Sequence, residues 1–147
     1  MEALACDLDR TLIGEDALLR PRTLAALAAA RAAGLRVILV TGRMFRSVRP
    51  YALQAGIVDP VICYQGAVVA DPVSGAFLRH LPMPLEEARQ AIEYVQSLGY
   101  PILCYVDDQL YVARETPESD AYAGFQNLTV HAVGDLLAWL PKVPPSS

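Results

Sequence analysis

Apolar residues fall into short runs of strand length, separated by stretches with helical spacing. The run from Glu2 to Leu8 reads as a short buried strand. Pro21-Arg22-Thr23 opens a helix: proline suits a first turn, alanines fill the interior through Ala33, and Gly34 is placed to stop it. Leu24, Leu27, Ala28 and Arg31 carry the helical spacing. Leu35 to Val40 is rich in branched apolar residues and predicts a second strand. A second helix is expected to start near Arg43, to reach Ala55 and to stop at Gly56, and Val61 to Tyr64 predicts a third strand. Strand, helix, strand, helix, strand with short links implies an α/β fold, a parallel sheet with helices on its faces and right-handed crossovers.

The pattern changes after Gly66. Residues 67–70 and 76–79 predict a hairpin around Asp71-Pro72-Val73-Ser74-Gly75, and Pro82-Met83-Pro84 reads as a hinge. Leu85, Ala88, Ile92, Val95 and Leu98 share one face of an amphipathic helix that Gly99 ends. A second hairpin is expected from Ile102–Val106 and Leu110–Ala113, then a short helix over 118–123 and a strand over 128–133. Asp135 starts another helix. The expected organisation is one unit over residues 1–81 and an α+β unit over 82–147.

Composition narrows the class. The chain has 147 residues, 54% of them hydrophobic, which excludes a disordered chain. Three cysteines in separate strand-like runs, Cys6, Cys63 and Cys104, do not make a disulfide framework and read as small buried hydrophobes. His80 and His131 have no second ligand at i+3 or i+4, so no zinc site is expected. A formal charge of −4 argues against a nucleic-acid surface. No apolar run approaches the roughly 20 residues of a membrane span, and the N-terminus lacks the basic start of a signal peptide. A cytoplasmic protein is expected.

In parallel sheets, ligands sit beyond the carboxyl ends of the strands. Asp7 and Asp9 follow the first strand, Thr41 and Gly42 the second, Gln65 and Gly66 the third. Two carboxylates so close raise one another's pKa. They suit a magnesium site, a nucleophile with an acid/base partner, or an ordinary polar strand end. Thr41-Gly42 alone would be an ordinary helix cap.

Together, Asp7-Leu8-Asp9-Arg10-Thr11-Leu12 and Val40-Thr41-Gly42-Arg43 resemble the first two motifs of the haloacid dehalogenase-like (HAD) phosphatases. The resemblance is nearest the Cof-type branch, with a large cap inserted after the third core strand. It extends through Pro21-Arg22-Thr23, Gln65-Gly66-Ala67 and the helix–hairpin order from Leu85 to Ala113. It implies a HAD-like Rossmannoid sheet, here its first three core strands, with part of the α+β cap. It also implies that Asp7 attacks phosphorus and that Asp9 protonates the leaving oxygen and then activates water. Mg2+ would be held by the Asp7 carboxylate and the Asp9 backbone carbonyl. Thr41, Gly42, Arg43 and Thr11 would bind phosphate, with Arg10 and Gln65 near the substrate.

The chain departs from the family pattern in three places. Arg10 stands where the family usually has glycine, and Gln65 where the branch usually has asparagine. The family's lysine and second acidic motif have no counterpart: Asp135 is followed by Trp139 and Leu140 where acids would fall, and Lys142 lies in a proline-rich tail. The expectation is therefore an N-terminal half: a core half over 1–81 and a partial cap over 82–147. An open edge where further strands belong predicts a homodimer covering it. The substrate implied is a small phosphorylated metabolite. The competing reading is a catalytically silent binding or self-associating module. A receiver-like domain lacks its acceptor aspartate at Tyr64-Gln65-Gly66, and a dinucleotide site lacks a G-x-G-x-x-G after the first strand.

Overall fold

The computed structural model describes residues 2–140, which divide into two compact units between Leu81 and Pro82. In the first unit, β1 (Ala3–Asp7), α1 (Pro21–Ala32), β2 (Arg36–Val40), α2 (Phe45–Gln54) and β3 (Val61–Cys63) alternate as the hydrophobic pattern requires. β1 pairs in parallel with β2, Asp7 opposite Val40, and β2 pairs in parallel with β3. The fold is α/β, with a sheet whose parallel strands carry helices in their crossovers.

The chain then turns back. β4 (Val68–Ala70) runs antiparallel to β3, and β5 (Phe77–His80) antiparallel to β4, giving one five-stranded sheet in the order β1-β2-β3-β4-β5. The change of pattern at Gly66 is thus a reversal of strand direction within one sheet, since a two-strand hairpin alone is marginal and gains by extending an existing edge. Asp71 shapes the hairpin loop by accepting from the N–H groups of Val73 and Ser74. Arg49, on α2, donates to the carbonyls of Pro72 and Val73 and ties the loop to that helix.

Burial across the sheet is uneven. Val37 and Leu39 of β2 and Val61 and Cys63 of β3 are enclosed, joined by Leu27 of α1 and Val48 of α2. Each of these valines and leucines contributes about 1.5–3 kcal/mol by leaving water. β1 is the sheet edge, and most of it is exposed although four of its five residues are apolar. Leu4 alone keeps 40% of its surface in solvent.

The second unit contains α3 (Leu85–Ser97), β6 (Cys104–Val106), β7 (Gln109–Val112), α4 (Pro117–Gln126), β8 (Val130–Ala132) and α5 (Leu136–Trp139). β6 and β7 form the expected hairpin, turning through Asp107 and Asp108, both left-handed. β8 lies parallel to β7 on its other side, reached through α4. Ile92, Leu136 and Leu140 form its small core, with Trp139 and Ile102 packed against it. Thr116 and Ser119 cap α4 reciprocally, and Asp135 caps α5 as its side chain accepts from Leu137 and Ala138. The expected position of Lys142 lies outside the described residues. Among the described residues, no helix is long and apolar enough to cross a membrane.

Candidate active site

The polypeptide leaves β1 through a tight turn in which the N–H groups of Thr11, Leu12 and Ile13 all point at the Leu8 carbonyl. Closing that turn requires a left-handed residue, and Arg10 takes it with φ 59°. For a side chain bearing a Cβ, this conformation costs roughly 1–2 kcal/mol. Arg10 itself points into solvent, 3.9 Å from Glu15. The turn brings Thr11 back over β1, where its hydroxyl donates to Asp7 Oδ2 at 2.9 Å. Asp7 is thereby an exposed carboxylate with one oxygen oriented by the chain itself.

β2 ends alongside. Thr41 N–H donates to the Ile62 carbonyl, continuing the pairing with β3 for one residue, and the Thr41 side chain is buried. Its Oγ1 accepts from the Arg43 N–H at 3.2 Å, so the hydroxyl keeps its own proton to donate. The second helix starts at Phe45, with Met44 as its cap, two residues later than the Arg43 start that the sequence predicts. Thr41 and Gly42 therefore belong to a connecting loop ahead of the helix.

Arg43 precedes the helix and turns inward. Its side chain is only 2% exposed. Nε and Nη2 grip the Asp9 carboxylate, at 2.9 Å to Oδ2 and 2.7 Å to Oδ1, while Nη1 donates to Ser47. Tyr51 lies with its ring 5.6 Å away. Burial works against this charge, but the hydrogen bonds and charge of Asp9, with help from Tyr51, hold the guanidinium pKa above its ordinary value. The sequence reading expects Arg43 at phosphate; in the structure its side chain is paired with Asp9, as a buried guanidinium gains from a carboxylate partner. Ser47 and Tyr51 were not singled out, although positions 43, 47 and 51 recur at helical spacing and made them findable.

β3 gives way to a 3-10 turn over Tyr64–Gly66, anchored by Tyr64 N–H donating to the Arg43 carbonyl. Tyr64 and Gln65 are both left-handed, at φ 53° and 54°. The Gln65 carboxamide lies over Gly42, within 2.8 Å (at Cδ) of where a β-carbon would stand. Asp7, Asp9, Thr11, Thr41, Gly42, Arg43 and Gln65 thus collect at the carboxyl ends of three neighbouring parallel strands.

A profile of the family described as haloacid dehalogenase-like hydrolase matches residues 4–134. The chain belongs to this HAD-like family. Its relatives include pyridoxal phosphate phosphatase YbhA of Escherichia coli (strain K12), 35% identical over 113 residues, covering 77% of this chain and 42% of that protein. 5-amino-6-(5-phospho-D-ribitylamino)uracil phosphatase YitU of Bacillus subtilis (strain 168) is 30% identical over 136 residues, covering 90% and 50%. In fold, this HAD-like chain is similar to a haloacid dehalogenase-like hydrolase from Bacteroides thetaiotaomicron, with a TM-score of 0.83 and 17% identity, over 99% of this chain and 55% of that one. The chain spans about half the length of the curated relatives it matches.

Cys63 is enclosed, and burial pushes the Cys6 and Cys104 thiols up, away from the reactive thiolate.

Proposed function

We propose that this chain supplies the nucleophile-bearing half of a phosphatase acting on small phosphorylated metabolites in the cytoplasm. The observation that carries the reading is the exposed Asp7 carboxylate, oriented by Thr11 and flanked by Asp9 and the Thr41-Gly42 loop. One Asp7 oxygen attacks phosphorus as the bond to the leaving oxygen breaks, giving an aspartyl-phosphate. Asp9 delivers the proton that the leaving oxygen takes up, then removes one from the water that releases phosphate. Both Asp9 oxygens accept from Arg43 in the ground state, and Oδ2 keeps a second lone pair for the proton it transfers. The Thr41 hydroxyl and the Gly42 N–H would donate to phosphoryl oxygens.

The donor set fits magnesium. Asp7 and the Asp9 carbonyl offer oxygen only, and no cluster of three acidic, histidine or cysteine side chains occurs among the described residues. An ion that keeps several waters and shares the substrate phosphate suits so few protein ligands. Bound there, Mg2+ would neutralise charge on the phosphoryl oxygens. The unit ending at Leu81 is read as part of the catalytic core and the unit from Pro82 as part of a cap. Two observations support reading the site as incomplete in this chain: the relatives are about twice as long, and β1, whose end carries Asp7, is an unpaired sheet edge.

Hydrolysis of para-nitrophenyl phosphate with and without Mg2+, against Asp7→Asn, tests the reading. Metal-dependent turnover lost in the variant supports the chemistry but refutes the incompleteness of the site; turnover that survives in Asp7→Asn overturns the chemistry, and activity no greater than the variant's marks this chain as an incomplete enzyme. That exposed edge also favours a second reading, a self-associating module, for which a dimer without turnover would be the sign.

A further inference from the structure

Among the described residues, Arg43 is the only charged side chain in the buried set. Desolvating a guanidinium is costly unless its donors find acceptors. Here the partners are arranged so that one residue reaches the ends of three strands. Its side chain holds Asp9, just past β1, and Ser47 on α2. Its backbone N–H fixes the Thr41 hydroxyl at the end of β2. Its carbonyl receives the Tyr64 N–H at the end of β3, anchoring the turn that carries Gln65.

We propose that Arg43 is a positioning residue that aims Asp9 and joins it mechanically to the Thr41 and Gln65 loops, and not a ligand of the phosphate. The inference rests on the phosphatase reading only for its functional consequence. The geometry needs a guanidinium. A fork with parallel donors grips both carboxylate oxygens while a third nitrogen reaches Ser47, whereas an ammonium is a point charge that cannot span both at once. The Asp9 side chain is 30% exposed, and the two-point grip of Arg43 fixes the direction of its carboxylate.

The test is NMR on the whole chain, reading the three-bond couplings that report the Asp9 side-chain torsion. The native protein is expected to show one rotamer, and Arg43→Lys averaging among rotamers with the remaining spectrum preserved. Ser47→Ala, which leaves the two-point grip in place, should keep Asp9 fixed. Inorganic phosphate with Mg2+ is then titrated into native and Arg43→Lys protein. A positioning role leaves the affinity within about threefold, whereas loss of a charge-assisted hydrogen bond to phosphate lowers it by about tenfold or more. An Asp9 rotamer that stays fixed in Arg43→Lys overturns the proposal, and so does the larger loss of phosphate affinity. Should Arg43→Lys fail to fold, Asp9→Asn carries the test from the other side. Exchange of the Arg43 Nε–H with water should then rise about tenfold; an unchanged rate overturns the proposal. Absence of phosphate binding by the native chain would count against the phosphatase reading while leaving the rotamer result to stand by itself.

Discussion

The carboxamide of Gln65 covers Gly42 so closely that a methyl group on Gly42 would collide with it. The obstructing atoms are the far end of a flexible side chain, so the fold can absorb Gly42→Ala by swinging Gln65 aside. Stability is expected to fall by less than about 1 kcal/mol, while phosphate affinity or turnover falls about tenfold to a hundredfold, because the displaced amide and shifted loop lose their register. Trimming the obstacle should restore function: Gly42→Ala with Gln65→Ala is expected to outperform Gly42→Ala. A double variant no better than the single one would show that the amide is not what Gly42 accommodates. Thermal melts and phosphate titrations on the same samples separate the two effects.

Arg10 is expected to be a stabilising site for glycine. Its φ of 59° is strained for any residue with a β-carbon, and its contact with Glu15 is 3.9 Å long and almost wholly exposed. Relief of strain outweighs the entropy glycine adds to the unfolded chain, and Arg10→Gly should gain about 0.5–1 kcal/mol in urea denaturation. Gln65→Asn should gain a few tenths for the same reason, because asparagine tolerates the left-handed region better. A loss of stability in Arg10→Gly would mean that the arginine makes a compensating contact.

Acid should loosen the β4–β5 hairpin. The N–H groups of Val73 and Ser74 hold the Asp71 carboxyl below the usual carboxylate range, against a small opposing effect of desolvation. Its folded pKa lies below its unfolded one, so its stabilisation is present at neutral pH. It begins to fade near pH 4, the unfolded value, and is lost as pH falls through the folded pKa. The stability gap between native protein and Asp71→Ala, measured by denaturant titration from pH 7 to pH 2, should shrink in that window. A gap independent of pH would refute the assignment.

The exposed edge at β1 predicts association. An unpaired row of backbone groups beside apolar Ala3, Leu4 and Ala5 is a template for another strand. Light scattering should show self-association that rises with concentration, and Leu4→Lys should suppress it by placing a charge on that strand. Monomers of the native chain at high concentration would refute the prediction.

The parallel strand–helix order was legible because β2 and β3 read as unbroken apolar runs and because Pro21, Gly34 and Gly56 mark helix boundaries. The strand ends were legible too, since Asp7, Thr41 and Gln65 each follow an apolar run. The joining of β4 and β5 to the first sheet was not, as alternation within a hairpin does not say which edge it extends. Nor was the parallel pairing of β8 with β7, a contact between residues far apart in sequence. The partner of Arg43 was the least legible contact: Asp9 lies 34 positions away, and only the structure shows the buried guanidinium paired with it.

The uneven enclosure of the sheet gives the two sides of the candidate site different lifetimes. Asp7 ends β1, which has one neighbouring strand and little cover, whereas Thr41 and Arg43 follow β2, held between two strands over the core. Local opening draws first on the least protected strand. On warming, the geometry around Asp7 should therefore fray while the loop around Thr41 and Arg43 still stands, and the amide protons of β1 should exchange well before those of β2. Any protein that comes to lie beside β1 would act first on the persistence of Asp7, lengthening the time for which the two sides exist together.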